Sequence, residues 1–193
     1  MIYHTISLLV IVICFSFYAK STIPAETPVP VPPPPPVVVT PSPSMPVIDL
    51  DQMECLALNI YHEARGDDRV GQLAVADVTL NRVKDPRYPN TICEVVKQAV
   101  MSEWYAERGM DVPVRNKCQF SWYCDGRDDT PYESAAWISA QQIADSLLRY
   151  SKDRGIASGA THYHAVYVSP AWAYDRGMAM VGQIGDHYFY KWH

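Results

Sequence analysis

Apolar residues recur at helical spacing early in the second quarter of the chain. Met53, Leu56, Ala57, Ile60, Tyr61 and Ala64 follow i, i+3, i+4, i+7, i+8 and i+11. This predicts an amphipathic helix, opened by an Asp51-x-x-Glu54 capping box and ended at Gly66. A second helix is predicted over about 70–83, with Val70, Leu73, Ala74, Val78 and Leu80 as its apolar stripe. Asp77 and Asn81 fall inside that stripe, so both need buried partners, from Arg82 or the first helix. Thr91-x-x-Glu94 predicts a helix start running to about Tyr105. Thr130-Pro131-x-Glu133 predicts another over about 131–150, with Ala136, Ile138, Ile143 and Leu147 in the core. The stretch 160–168 reads as extended or irregular, and the aromatic tail 182–190 as a short strand. The predicted class is mainly α, an α+β domain with a small β or loop element near 113–124 and 160–190.

The pattern changes sharply ahead of this domain. From Ile6 to Ala19 only Ser7 and Ser16 interrupt an apolar run, which Lys20 closes. The run is short of the roughly 20 residues of a spanning helix and suits a secretory signal core. No Lys or Arg precedes it and no clear small-x-small site follows, so a retained anchor or a signal-arrest-release segment is an alternative. Cys14 follows Ile13 where a lipoprotein signal needs a small residue, so it reads as a buried apolar Cys. Eleven of the 16 prolines then lie between Pro24 and Pro46. Such a stretch cannot form a ladder and favours polyproline II at about 3.1 Å per residue, a semi-rigid spacer. The expected organisation is 1–20 signal peptide or membrane anchor, 21–47 proline-rich linker and 48–193 folded domain. It places the domain outside the cytoplasm, in the periplasm or cell envelope, with membrane contact through the N-terminal segment.

At 193 residues the chain is too short for an eight-stranded α/β barrel. A formal net charge of -5 argues against a nucleic-acid partner held by global charge. Cys55, Cys93, Cys118 and Cys124 form an even set behind an export segment, which reads as disulfides. Paired Cys-x-x-Cys zinc knuckles do not occur. If the first two helices form a hairpin, the chain returns near the first helix at residue 93, favouring Cys55–Cys93 and Cys118–Cys124.

Glu63 is the first candidate for chemistry. It sits roughly 80–90° from the centre of the first helix's stripe, at its edge, whereas His62 points to solvent. Partial desolvation and the negative end of the helix dipole both raise a carboxyl pKa, as a general acid for glycosidic cleavage requires. The competing reading is a structural ion pair with Arg65 or Arg82. His62-Glu63-Ala64-Arg65-Gly66 lacks the second His of a His-Glu-x-x-His zinc helix. His162 and His164, at i and i+2 of a strand, share a face and could bind zinc with His187, as an amidase would need. The alternative makes these residues hydrogen-bonded or substrate-contacting groups, with no metal. Gln119-Phe120-Ser121-Trp122-Tyr123 offers aromatic faces, an amide and a hydroxyl suited to sugars, or equally a clamped core segment. Ser121 is not in a Gly-x-Ser-x-Gly elbow.

An ordered series of segments resembles the SleB-type cell wall hydrolases, the spore cortex-lytic enzyme family. It runs through Cys55-Leu56, Tyr61-His62-Glu63-Ala64-Arg65-Gly66, Gly71-Gln72-Leu73-Ala74-Val75-Ala76, Leu80-Asn81-Arg82-Val83 and Tyr88-Pro89-Asn90-Thr91-Ile92-Cys93. It continues at Cys118-Gln119-Phe120-Ser121, Cys124-Asp125-Gly126, Ala160-Thr161-His162-Tyr163-His164, Pro170-x-Trp172 and Ile184-Gly185-x-His187-x-Phe189-Tyr190. Asp77 stands where the family pattern carries an uncharged Gln, and 100–116 is less typical. The resemblance implies a lysozyme-like, lytic-transglycosylase-like helical fold that cleaves the glycan backbone of peptidoglycan without a cofactor. It places the catalytic acid at Glu63 and implies pocket or scaffold positions at Gln119, Ser121, His162, Tyr163, His164 and His187.

A single acid fits a lytic transglycosylase, which gives a 1,6-anhydro product. Hydrolysis needs a second carboxylate, for which Asp77 and Asp125 are candidates. Either a phage lysin or a bacterial wall-remodelling enzyme fits this organisation. A zinc-dependent amidase and a non-catalytic wall-binding module are the competing functions.

Overall fold

The computed structural model describes residues 47–193. The apolar segment and all but the last residue of the linker lie outside the described residues. Among the described residues no helix is long and apolar enough to cross a membrane.

Helix α1 spans Leu50–Ala64 and α2 spans Arg69–Lys84. The cap of α1 is Asp49, whose carboxylate accepts from the amides of Asp51 (3.0 Å) and Gln52 (3.3 Å). The Asp51-x-x-Glu54 sequence therefore lies inside the helix and not at its cap. The apolar positions of α1 read from the sequence are buried, apart from the half-buried Met53 near the start. Helix α2 departs from the single-stripe expectation. Val70 is exposed, whereas Val75, Ala76 and Thr79 are fully buried beside Leu73, Ala74 and Val78. One core cluster joins α2 to the other helices, and a second sets Ala74, Val75 and Val78 against Ala157, Ala160 and Phe189. A helix covered on both sides has no solvent face to keep polar, so its pattern loses its period.

The buried Asp77 is satisfied by neither Arg82 nor α1. It pairs with Arg154 Nε at 2.9 Å and accepts from the amides of Gly155 and Ala157, each at 3.1 Å. Asn81 donates to the Ala160 carbonyl at 3.0 Å. Both polar groups thus fasten the loop after the last helix, a long-range partner that local sequence does not announce.

Thr91 caps α3 as expected, accepting from the Glu94 amide, but α3 covers only Ile92–Val96. Strand β1 (Ala99–Met101) and the one-turn helix α4 (Glu103–Ala106) follow, and β1 pairs antiparallel with β2 (Pro113–Cys118). The expected long helix is interrupted because this segment is drawn into a hairpin. Helix α5 runs over Ser134–Tyr150. The third capping box does not form: Thr130 bonds Asp128, and Glu133 pairs with Arg65 at 3.3 Å. Ile143 and Leu147 are buried in the core, Ala136 is half-buried, and Ile138 is exposed, contrary to expectation.

Strands β3 (His162–Ala165), β4 (Met178–Ile184) and β5 (His187–Trp192) form an antiparallel sheet in the order β3-β5-β4. Strands β2 to β5 thus fall in the two regions where the sequence places them, whereas β1 lies outside both, in a stretch expected to be helical. The disulfides are Cys55–Cys93, joining α1 to α3, and Cys118–Cys124, closing a loop whose last four residues are a 3-10 turn. Both pairings are the ones the hairpin argument favours.

Candidate active site

Glu63 lies one residue before the end of α1, at the floor of a cleft of about 480 Å³. One wall is the segment 121–132, and the other is the turn after β3 with His187. A second, smaller pocket of about 180 Å³ also opens on Glu63, Ser121 and Tyr163. The edge position on α1 therefore brings the half-buried carboxyl to the cleft and not into the helical core.

The walls are held by buried polar contacts. Asn59 on α1 donates to Thr79 Oγ1 on α2 at 3.0 Å and accepts from Trp122 Nε1 at 3.0 Å. This chain fixes the 3-10 turn to both helices. The Tyr61 hydroxyl accepts from the amides of Tyr132 (3.2 Å) and Glu133 (3.1 Å), which pins the approach to α5. His62 does not face solvent as its wheel position predicts. Its ring stacks on Trp122 at 4.5 Å and its Nε2 bonds the Asp129 carbonyl at 3.0 Å. The loop folds over α1 and turns an expected surface residue into a wall.

Glu63 has an environment suited to holding a proton. Desolvation by burial raises its pKa above the usual carboxylate range, while the Tyr163 hydrogen bond and the positive charge of Arg82 act in the opposite sense. The Tyr163 hydroxyl donates to Glu63 Oε2 at 3.0 Å. Among the described residues Glu63 forms no ion pair, and Arg65 is engaged with Glu133 instead. The structural ion-pair reading therefore loses its partners. Arg82 influences the carboxyl through its charge, while its own Nε donates to the Thr161 carbonyl at 2.7 Å.

Opposite Glu63, His187 Nδ1 meets Asp67 Oδ2 at 3.1 Å, and the imidazole lies edge-on to the Tyr163 ring at 5.2 Å. Asp67 has a seat made by glycines. A Cβ on Gly71 would stand 2.6 Å from Asp67 Oδ2, so only glycine fits there. This gives a physical reason for glycine at the Gly71-Gln72 step.

Sheet register sorts the three histidines. His162 pairs with Tyr190, His164 with Tyr188, and Ala165 with His187. Paired residues share a face, so His187 lies with Tyr163 and Phe189 on the side opposite His162 and His164. The proposed three-histidine zinc cluster is thereby contradicted by geometry. Among the described residues no group of three His, Cys, Asp or Glu side chains is placed to hold a metal ion. His162 packs among Tyr88, Trp172 and Trp192, and burial together with Arg82 and Arg87 lowers its pKa to about 4. It does not line either opening at Glu63.

Of the other residues named from sequence, Ser121 and Tyr163 border both openings, Gln119 the smaller, and His164 and His187 the larger. His164 Nε2 is engaged with the Tyr190 hydroxyl at 3.0 Å. Asp125 borders the cleft, whereas Asp77 is buried behind α2 and cannot serve as a second carboxylate there. Sequence reasoning did not single out Trp122, Asp129 or Tyr132 as wall residues. Only Trp122, inside the aromatic segment already named, carried a signal.

The comparisons with known proteins agree with this architecture. The family described as Cell Wall Hydrolase matches residues 66–190, a span that begins just after Glu63. The spore cortex-lytic enzyme of Halalkalibacterium halodurans is 41% identical over 46 residues, 24% of this chain and 14% of that protein. That of Bacillus subtilis is 41% identical over 46 residues, 24% of this chain and 15% of that protein. The chain thus matches about one seventh of the length of these relatives. The catalytic domain of the germination-specific lytic transglycosylase SleB from Bacillus anthracis is similar in fold, with a TM-score of 0.50 at 22% identity. The superposition covers 75% of this chain and 97% of that one.

Proposed function

Because this chain belongs to the cell wall hydrolase family, we propose that it cleaves the glycan backbone of peptidoglycan with Glu63 as its single acid and base. The observation that carries this reading is the partly desolvated carboxyl of Glu63 at the floor of a cleft, bonded by Tyr163 and free of any arginine ion pair.

In the first half of the reaction, protonated Glu63 gives its proton to the oxygen linking N-acetylmuramic acid to N-acetylglucosamine. The bond from muramic C1 to that oxygen breaks, and positive charge develops at C1. The Glu63 carboxylate so formed is stabilised by the Tyr163 hydroxyl and the nearby Arg82 cation. In the second half, Glu63 takes the proton of the muramic C6 hydroxyl as that oxygen bonds to C1. The product is a 1,6-anhydro sugar, and Glu63 returns to its protonated state. No water and no second carboxylate enters this route. The exposed rings of Tyr132 and Tyr167 along the cleft supply faces on which sugar rings stack.

The same family membership supports an exported enzyme of the cell envelope. We read 1–20 as its export signal or anchor and 21–47 as a spacer, on the sequence pattern alone. Mass spectrometry of purified peptidoglycan digested by the full chain tests the proposal. Anhydro-muramic ends are expected. Reducing ends would make the enzyme a hydrolase drawing on a second group such as Asp125, and cleaved amide bonds with intact glycan would overturn the proposal.

A further inference from the structure

One titratable pair on the cleft has no task in the lytic route. His187 borders the cleft that holds Glu63, and its Nδ1 meets Asp67 Oδ2 at 3.1 Å. The Asp67 side chain is 4% exposed. Its carboxylate is wedged between two glycines, since a Cβ would stand 2.6 Å from Oδ2 on Gly71 and 3.0 Å from it on Gly185. The backbone of Asp67 is fixed as well. Its amide donates to the Ala64 carbonyl at 3.0 Å, and its carbonyl accepts from Gln72 Nε2 at 3.1 Å. The chain is thus shaped around this carboxylate, which leaves the imidazole little freedom to turn.

A carboxylate only accepts, so Nδ1 carries the proton and the neutral ring keeps its lone pair on Nε2. Among the described residues no group hydrogen-bonds Nε2, and that nitrogen is not sealed from solvent. His187 therefore offers the cleft a lone pair that Asp67 orients, and Asp67 balances the charge when that lone pair takes a proton. Tyr163 links this dyad to the acid. Its ring lies edge-on to the imidazole at 5.2 Å, and its hydroxyl bonds Glu63. A proton donor and a proton acceptor thus border one cleft with a single tyrosine between them.

We propose that His187, oriented by Asp67, is the general base of a second, hydrolytic fate of the bond that Glu63 breaks. This inference rests on the glycan-cleaving reading given above. Glu63 first protonates the leaving oxygen and the bond from C1 to that oxygen breaks, as in the lytic route. A water in the cleft then attacks C1. Its oxygen bonds to C1, and its proton passes to His187 Nε2, giving an imidazolium beside the Asp67 carboxylate. That proton returns through solvent to the Glu63 carboxylate, which restores both groups. One water is consumed, and the product is a reducing muramic end. The lytic route keeps Glu63 as its own base and stays the faster one, because the C6 hydroxyl is tethered to the reacting ring. Water has no such advantage and competes only with a base of its own, which the dyad supplies.

The test digests purified peptidoglycan, whose existing reducing ends have been removed with borohydride, and counts new ends by mass spectrometry. The full unaltered chain is expected to give mostly 1,6-anhydro ends with a lesser share of reducing ends. His187→Asn keeps an N–H towards Asp67 but has no base where Nε2 stood. It should lower the ratio of reducing to anhydro ends at least about tenfold. Asp67→Asn donates to Nδ1 and so moves the ring proton to Nε2, which should lower the ratio in the same direction. It takes the place of His187→Asn if that variant loses its thermal transition. No reducing ends from the unaltered chain, or an unchanged ratio in either folded variant, overturns the hydrolytic fate and leaves the lytic reading standing. Loss of the reducing ends in Asp125→Asn but not in His187→Asn gives the base role to Asp125 and overturns it as well. Failure of the unaltered chain to release any fragment overturns both readings.

Discussion

The Tyr163 hydroxyl on β3 donates a 3.0 Å hydrogen bond to Glu63 Oε2 on α1, across 100 positions of sequence. It lowers the Glu63 pKa against the upward push of burial. In the proposed mechanism it also favours the carboxylate left after proton transfer. Tyr163 is itself half-buried, and desolvation with the adjacent carboxyl pushes its own pKa well up, so it acts as a donor throughout.

Tyr163→Phe therefore has two consequences. The rate of glycan cleavage should fall about tenfold or more, from loss of a hydrogen bond to a charged group. The alkaline limb of the pH profile should also move to higher pH, because a group that lowered the Glu63 pKa is gone. A profile that only drops in height, with no shift, would assign Tyr163 a purely structural part.

The raised pKa of Glu63 also predicts a stability effect of definite sign. Between the ordinary carboxylate value of 4.5 and the higher folded value, the unfolded chain has lost this proton and the folded chain keeps it. Folding stability therefore declines as pH rises through that window. Glu63→Gln removes the titration, so denaturant unfolding should show the variant gaining on the unaltered chain as pH rises from 4.5. A constant difference across pH would contradict the desolvation assigned here.

His162 predicts the opposite slope. Its folded pKa is depressed from 6.5 to about 4, so the unfolded chain binds a proton in that interval and the folded chain does not. Stability is lost as pH falls from about 6.5 towards about 4. His162→Phe should flatten this acid slope in thermal unfolding scans. An unchanged slope would mean the imidazole is solvated in solution.

The two disulfides divide stability from activity. Chain-entropy arithmetic gives about 4 kcal/mol for the bridge of sequence separation 38 and about 2 kcal/mol for that of separation 6. Replacing Cys55 and Cys93 by Ser should lower the midpoint of unfolding most. Replacing Cys118 and Cys124 should cost less stability yet reduce turnover more, because that loop leads into the wall that Trp122 and Ser121 provide. Denaturation curves and cleavage assays on both double variants measure the two effects separately.

Helix α1 was legible because one of its faces is buried and the other is not, which leaves a 3.6-residue period. Helix α2 gave up that signal by being covered on both sides. The apolar positions 95–101 suit a helix or a strand equally, and only pairing with the distant β2 decides between them. The Thr130 box was locally complete, but Tyr61 claims the amides of Tyr132 and Glu133, and Glu133 turns to Arg65. Glu63 was visible in its segment, as was Tyr163. The histidine grouping failed because alternation along one strand says nothing about register with the next. The partners of Asp77, some 77 to 80 residues away, were hidden for the same reason.

The most direct measurement compares the unaltered chain with Glu63→Gln on purified peptidoglycan, reading released muropeptides by mass spectrometry, with circular dichroism as the check on folding. With Glu63 as the sole acid and base, the folded variant should release fragments at least about a thousandfold more slowly, since it loses proton transfer at both steps. Release by the folded variant within about tenfold of the unaltered chain would contradict this role for Glu63.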